Sequence, residues 1–389
     1  MRKILSILAV SLCAAACIYP YDPDIQEAPE GVLSVDGNIS IGDASTVRLG
    51  FLYSMKYFNS GNSEDLYSAH VWVEDDSGEN YPGELYASAS SAYGWYSNPS
   101  YLIHTENARA DRRYRLCIEV LDATYVSDWT DVPAPPVIRE IGFTADDENV
   151  TVTVSVDGGE DGTGYLLFSY DETWEFHADY IPSYEVDTRS WTISEGDPDY
   201  SHYWCWQYRT NDLIYPVDYT SMEQQGLTAY PLYSFPRQDN RNHRRYCANI
   251  HAKTLTPASY RFLKNIVSTT DGGDNLFTPN PGEIPSNIRC ETHPERSVYG
   301  YALFSRSVSK RAFLDERYYI HTYPRGLIYP TSDYYPQYYG QGYLPLDKNP
   351  KSDYDPQFEG EYGWGARYCW DCTAAGGTQK RPDFWYEQE

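Results

Sequence analysis

From about residue 31 onward, apolar and polar residues alternate with a period of two, the pattern of half-buried strands. Val32-Leu33-Ser34-Val35-Asp36-Gly37-Asn38-Ile39 and Thr46-Val47-Arg48-Leu49-Gly50-Phe51 predict two strands divided by a Gly-Asp turn. Ala69 to Glu74 predicts a third, running into the hairpin signal Asp75-Asp76-Ser77-Gly78. Arg115 to Val120 and Thr124 to Ser127 predict a further pair. Short strands with turns between them over about 100 residues predict a β-sandwich of immunoglobulin or prealbumin type. Val132-Pro133-Ala134-Pro135-Pro136 cannot enter a sheet interior and predicts a stiff boundary.

Beyond that boundary the alternation resumes at Val150 to Val156, passes an acidic glycine-rich stretch, Asp157 to Gly162, and continues at Tyr165 to Tyr170. The stretch reads as a hairpin turn, because its acid spacing is not that of a calcium loop. One helix is predicted, with Thr256 as N-cap, Pro257 at the first helical position, and Tyr260, Leu263 and Val267 on one face. Strands return at Val298 to Phe304 and Arg311 to Leu314, and from about Tyr323 the chain is loop-like and rich in Pro, Gly and Tyr.

The first 16 residues break this pattern. Arg2 and Lys3 precede an apolar run, Ile4 to Ala16, which is too short to span a bilayer and ends in three alanines before Cys17. This is signal-peptide grammar, and the small residues before Cys17 predict lipidation there. Several acyl chains anchor firmly where one anchors marginally. The Pro-rich acidic segment that follows reads as a tether.

Composition then narrows the class. The chain has 389 residues, 56 acidic and 30 basic, so its formal charge is -26. Loss of Arg2 and Lys3 with the signal would take -26 to -28. Such a charge excludes nucleic acid as an expected partner, since phosphate binding needs clustered Lys and Arg. Forty Tyr among 16% aromatics argue against disorder.

Six cysteines remain past Cys17: Cys117, Cys205, Cys247, Cys290, Cys369 and Cys372. An even count in an exported chain predicts disulfides, and Cys369-Trp370-Asp371-Cys372 predicts a structural bond near the C-terminus. No metal or cofactor is expected. The histidines form no ligand motif, and no nucleophile elbow or phosphate loop appears, so a non-catalytic role is expected.

Two patches stand out as binding candidates. The first is a basic island with Arg237, Arg241, His243, Arg244 and Arg245, which reads either as a site for an acidic partner or as a solvated turn before a strand. The second is the tyrosine-rich stretch with Tyr334, Tyr335, Tyr338, Tyr339 and Tyr343, which reads either as an interface or as a loop packing its own rings.

Several segments together resemble the Bacteroidota lipoproteins grouped as domain of unknown function 4249. They are the Cys17 region, Leu33 to Ile39, Glu172-Thr173-Trp174-Glu175-Phe176, Leu255 to Ile266, Phe277-Thr278-Pro279-Asn280-Pro281 with Ser286-Asn287-Ile288, and Val298-Tyr299-Gly300-Tyr301. The tail Cys369 to Thr373, Gly376-Gly377-Thr378 and Pro382 to Trp385 resembles that family too, while Ser286 replaces a usual glycine. The resemblance implies an outer-membrane lipoprotein, often encoded beside a TonB-dependent receptor, and implies no reaction. The face of the membrane stays open: Asp22 and Asp24 come five and seven residues after Cys17, later than surface-export signals place their acids.

The sequence therefore predicts a signal peptide (1–16), a lipidated tether (17–30), a β-sandwich (31–133) and a larger β-rich domain (137–389) with one helix and a long aromatic C-terminal loop region. The expected function is a binding accessory to a TonB-dependent uptake system, taking a glycan or peptide. The alternative is a structural or adhesive envelope protein without a small ligand.

Overall fold

A computed structural model of the chain describes residues 31–52, 64–86, 98–158, 163–221, 226–271, 286–319, 326–348 and 361–386. The segments predicted as signal peptide and tether, Cys17 and the Phe277 to Pro281 segment lie outside the described residues. Among the described residues, no helix is long and apolar enough to cross a membrane.

The first eight strands are β1 (Val32–Ser40), β2 (Ala44–Leu52), β3 (His70–Asp75), β4 (Asn80–Tyr86), β5 (Ser100–His104), β6 (Arg113–Val120), β7 (Ala123–Ser127) and the short β8 (Thr130–Asp131). Period-two alternation turns Leu33, Val35, Val47, Leu49, Tyr101, Ile103, Leu116 and Ile118 into one core. The same alternation leaves Asp36, Asn38, Thr46 and Arg48 on the outer face. In the β3–β4 turn the Asp75 carboxylate accepts from the N–H groups of Ser77 and Glu79, and Gly78 supplies the positive φ of +89°.

Next come β9 (Val137–Ala145), β10 (Asn149–Asp157), β11 (Tyr165–His177), β12 (Tyr184–Asp187), β13 (Thr192–Glu195), β14 (Trp204–Asp218), β15 (Gly226–Pro236), β16 (Arg245–Thr254) and the helix α1 (Pro257–Asp271). The chain ends through β17 (Ile288–Cys290), β18 (Val298–Ser305), β19 (Ser307–Phe313), the short helix α2 (Tyr335–Gly340), β20 (Leu344–Lys348), β21 (Tyr362–Gly365) and the single-turn α3 (Arg367–Trp370).

The protein is mainly β. Its largest sheet runs β17-β7-β6-β3-β4-β5-β2-β1-β18; its two halves share β4 and fold over the first core as a sandwich, curling until β17 and β18 nearly meet. β18 joins β1 in parallel, whereas its other neighbouring strands pair antiparallel. Residues 288–305, which lie well past the Pro-rich boundary, thus complete the sheet begun by residues 32–127.

A second sandwich sets the sheet β15-β10-β9 against β14-β11-β16-β19. Val150, Val152, Val154 and Val156 meet Phe168, Trp174, Tyr246 and Ile250 in its core. β10 and β11 lie in different sheets and so are not the two arms of a hairpin, while residues 159–162 of the acidic stretch lie outside the described residues. The glycines and acids there signal a change of direction but not the sheet to which the chain goes.

Helix α1 begins as the sequence predicts, with Thr256 Oγ1 accepting the Ser259 N–H at 3.1 Å. Its apolar face fills the junction between the sandwiches. Tyr260 stacks on Tyr165 of β11 at 4.4 Å and Phe262 on Tyr301 of β18 at 4.3 Å, with Leu263, Leu303 and Leu167 between them.

The described parts of the aromatic C-terminal region carry more secondary structure than the expected long loop. β20 and β21 form a hairpin, Tyr335 of α2 packs on the fully buried Trp364, and Tyr184 of the β12–β13 hairpin meets Tyr362 edge-on.

Candidate functional site

The outer face of the β14-β11-β16-β19 sheet turns toward the outer face of β1, β2 and β18, and α1 closes one end of the space between. The resulting cleft has a volume of about 610 Å³. Asp36, Asn38 and Arg48 line it from the first sandwich, and Ser169, Asn211 and Lys253 from the second. Tyr86, Phe262 and Tyr301 add aromatic walls. The sandwiches touch across it where the Lys253 ammonium donates to Asn38 Oδ1 at 2.9 Å.

Further along the same sheet face is a smaller cavity of about 180 Å³, adjoining the cleft at Thr210 and walled by Asp171, Asn249, Arg311 and Phe384. Strand register builds this region: Ser169, His251 and Ser309 are partners across three strands, as are Asp171, Asn249 and Arg311. His251 Nδ1 lies 2.6 Å from Ser309 Oγ, and its Nε2 lies 3.5 Å from Asp171 Oδ1. Asn249 Nδ2 donates to both Asp171 oxygens, at 2.9 and 3.1 Å. Burial would raise the Asp171 carboxyl, but the hydrogen bonds from His251 and Asn249 outweigh it and hold the group below the ordinary carboxylate range. Of this row, Asp171 and Asn249 reach the wall of the smaller cavity, where a carboxylate and an amide suit recognition of ligand hydroxyls and amides. Among the described residues, no group of three or more His, Cys, Asp or Glu is placed to hold a metal ion.

The predicted basic island lies elsewhere and is used internally. Arg241 is buried and donates to Glu172 at 3.0 and 3.2 Å and to Asp239 at 2.9 and 3.0 Å, above the Phe235 ring. The Glu172 carboxylate also accepts from Tyr246 at 2.5 Å. Burial works against the Arg241 charge, yet the two carboxylates raise its pKa. Arg244 stacks on Trp204 at 4.0 Å beside Glu175, and Arg245 stacks on Phe313 at 4.3 Å. Each of these three arginines therefore has a carboxylate or an aromatic ring of the fold as its partner. Glu172 faces the core by strand alternation and Glu175 lies under Trp385, so both acids need cations from this turn.

The tyrosine candidates divide. Tyr335 is buried, Tyr338 and Tyr343 pack against each other, and Tyr334 and Tyr339 are exposed, the latter 6.0 Å from Trp191. None of the five lines either cavity described above.

The cysteine expectation needs correction. Cys372 is bonded to Cys205 of β14, 167 residues away, and not to Cys369. Cys372 donates its N–H to His202 O, which holds it at the start of β14, while Cys369 packs beside Gly365. Cys117, Cys247, Cys290 and Cys369 are buried outside the disulfide. Burial pushes the Cys117 and Cys247 thiols up to about 12, so they are inert.

Sequence reasoning missed Asp171, Lys253 and Arg48 as site residues. Their polar alternation was visible, but nothing local marks which outer face meets a second domain.

This is a mainly β protein of two packed sandwiches with a polar, aromatic-walled cleft between them. The chain belongs to the family described as domain of unknown function (DUF4249), whose model matches residues 18–311. The tail from Cys369 lies outside the matched residues. No curated protein matches the chain. Among solved structures, the Mu homology domain of Fcho1 from Danio rerio with bound Eps15 peptide aligns over 72% of this chain and 93% of that one. Its identity is 7% and its TM-score 0.16, too low to carry an argument.

Proposed function

We propose that this protein is a lipid-anchored envelope protein that captures a glycan or peptide in the cleft between its sandwiches, as a non-catalytic accessory to a TonB-dependent uptake system. The observation that carries the binding part is the cleft itself. Two sheet faces bring amide, carboxylate, hydroxyl and cationic groups together with aromatic rings around about 610 Å³. Ligand sites combine such concavity with a few convergent polar groups. The envelope part rests on the signal grammar before Cys17.

Glycan and peptide arrays probed with the purified protein test capture, and Tyr86→Ala with Asn211→Ala is expected to remove the signal. Undiminished array binding in that variant would move the site elsewhere. Gentle crosslinking in membranes tests the partnership, with a large β-barrel receptor expected to co-isolate; recovery of the protein alone counts against it. Labelling of Ser309 by a serine-directed fluorophosphonate would replace the non-catalytic reading with a hydrolytic one.

The exposed Tyr334 and Tyr339 favour a second reading, an adhesive or structural envelope protein. Loss of cell adhesion on replacing both tyrosines, with arrays blank, would select it.

A further inference from the structure

We infer that the cleft takes a ligand bearing a negatively charged group, a carboxylate or a sulfate, and that Lys253 is the residue that meets it. This rests on the cleft-capture reading above and adds the charge of the ligand.

Lys253 sits on β16 between Leu167 of β11 and Ser307 of β19, facing the cleft. An ammonium has three donors. The described hydrogen bond of this one goes to the neutral Asn38 Oδ1, and no carboxylate lies within ion-pair distance of it among the described residues. Burial beside Leu167, Phe262 and Leu263 pushes the amine below its ordinary range, opposed by Asp43. A partly desolvated cation without a counter-charge is costly, and an incoming anion relieves that cost.

Charge balance strengthens the point. The chain carries 56 acids to 30 bases. Elsewhere many of its cations are met by carboxylates, as Arg115 by Glu74, Arg139 by Asp157, Arg296 by Asp122 and Arg367 by Asp371, while Lys310 and Arg306 donate to main-chain carbonyls. The cleft reverses the ratio, with Arg48 and Lys253 against the single carboxylate of Asp36. Arg48 lies opposite Asp36 across the β1–β2 pair, which leaves Lys253 as the cleft cation with no facing carboxylate. An unmatched cation in an acidic protein favours a charge that arrives from outside.

The test uses full-length protein in detergent with two pairs of probes. One pair is a galacturonate tetramer and its methyl ester; the other is a Glu-rich peptide and its Gln counterpart. At least one charged member is expected to bind about tenfold or more tighter than its neutral partner. The preference should shrink between about 50 and 500 mM salt, as screening requires. Lys253→Met should abolish it, and Lys253→Arg should keep part of it. Thermal unfolding decides whether the residue is only a clamp to Asn38. An unchanged or raised Tm in Lys253→Met supports the inference, and a lowered one overturns it. Equal binding of charged and neutral members, or a preference that survives in Lys253→Met, also overturns it while leaving cleft capture intact. Binding of none of the four probes overturns the inference, and a blank glycan and peptide array removes cleft capture as well.

Discussion

The side-chain amide of Asn287 pairs with both main-chain polar groups of Ala302, donating from Nδ2 to the carbonyl oxygen at 2.9 Å and accepting the N–H at 2.8 Å. The amide thus behaves as one more ladder residue between the β17 and β18 edges, and it clamps the ends of the curled sheet. This gives the Ser286-Asn287-Ile288 segment a physical role: an amide, alone among small side chains, offers a donor and an acceptor at that spacing.

Asn287→Ala leaves the Ala302 N–H and C=O without their partner, at an expected cost of ~1–3 kcal/mol. Asn287→Asp keeps the acceptor but sets a second oxygen against the Ala302 carbonyl, so it should also destabilise. Urea denaturation checks both variants, and wild-type midpoints in both would refute the clamp.

Arg241→Met alone strands Glu172 in the second core and is expected to cost ~3–5 kcal/mol. The double variant Arg241→Met with Glu172→Met removes both charges and should recover much of that loss. Equal destabilisation of single and double variants, measured by denaturant midpoint, would show that the pair is not what Arg241 supplies.

Cys205→Ser should destabilise the protein by ~2–4 kcal/mol, because the Cys205–Cys372 bond closes a long loop in the unfolded chain. Peptide mapping checks the pairing directly. After unfolding without reductant, Cys117, Cys247, Cys290 and Cys369 should alkylate and Cys205 and Cys372 should not. A Cys369–Cys372 peptide would refute it.

Stability should decline in acid for an assignable reason. Burial alone would raise the carboxyls of Asp75, Asp239 and Asp371, but hydrogen bonds from Ser77 and Glu79, from Arg241, and from Thr373 and Arg367 outweigh it and hold all three below the ordinary 3.8. Their folded pKa values lie under their unfolded ones, so their contribution is complete above 3.8 and is lost as pH falls through it toward the folded values. Urea midpoints should therefore hold steady above about pH 5 and drop below about pH 4. Asp371→Asn should flatten part of that drop.

Much of the local structure was legible in the sequence. Alternation in Val32 to Ile39 and Val150 to Val156 marks β1 and β10, and Thr256-Pro257 marks the start of α1, because each signal lies within a few residues of what it specifies. β4 and β5 lack that signal: Pro82 and Gly83 interrupt the β4 pattern, and Tyr101-Leu102-Ile103 in β5 is an apolar run without alternation.

The sequence by itself determined the mainly β class, the turn after Asp75, the helix cap at Thr256 and the resemblance that the family match over residues 18–311 agrees with. Tertiary structure alone decided the rest: that β18 returns to pair with β1, that Cys372 reaches Cys205, that Arg241 points inward to Glu172, and that Lys253 faces a cleft. The reason is range. Alternation and caps are set by backbone geometry among neighbours, whereas these contacts join residues tens to hundreds of positions apart. An arginine destined for a buried carboxylate carries no local mark separating it from one in solvent.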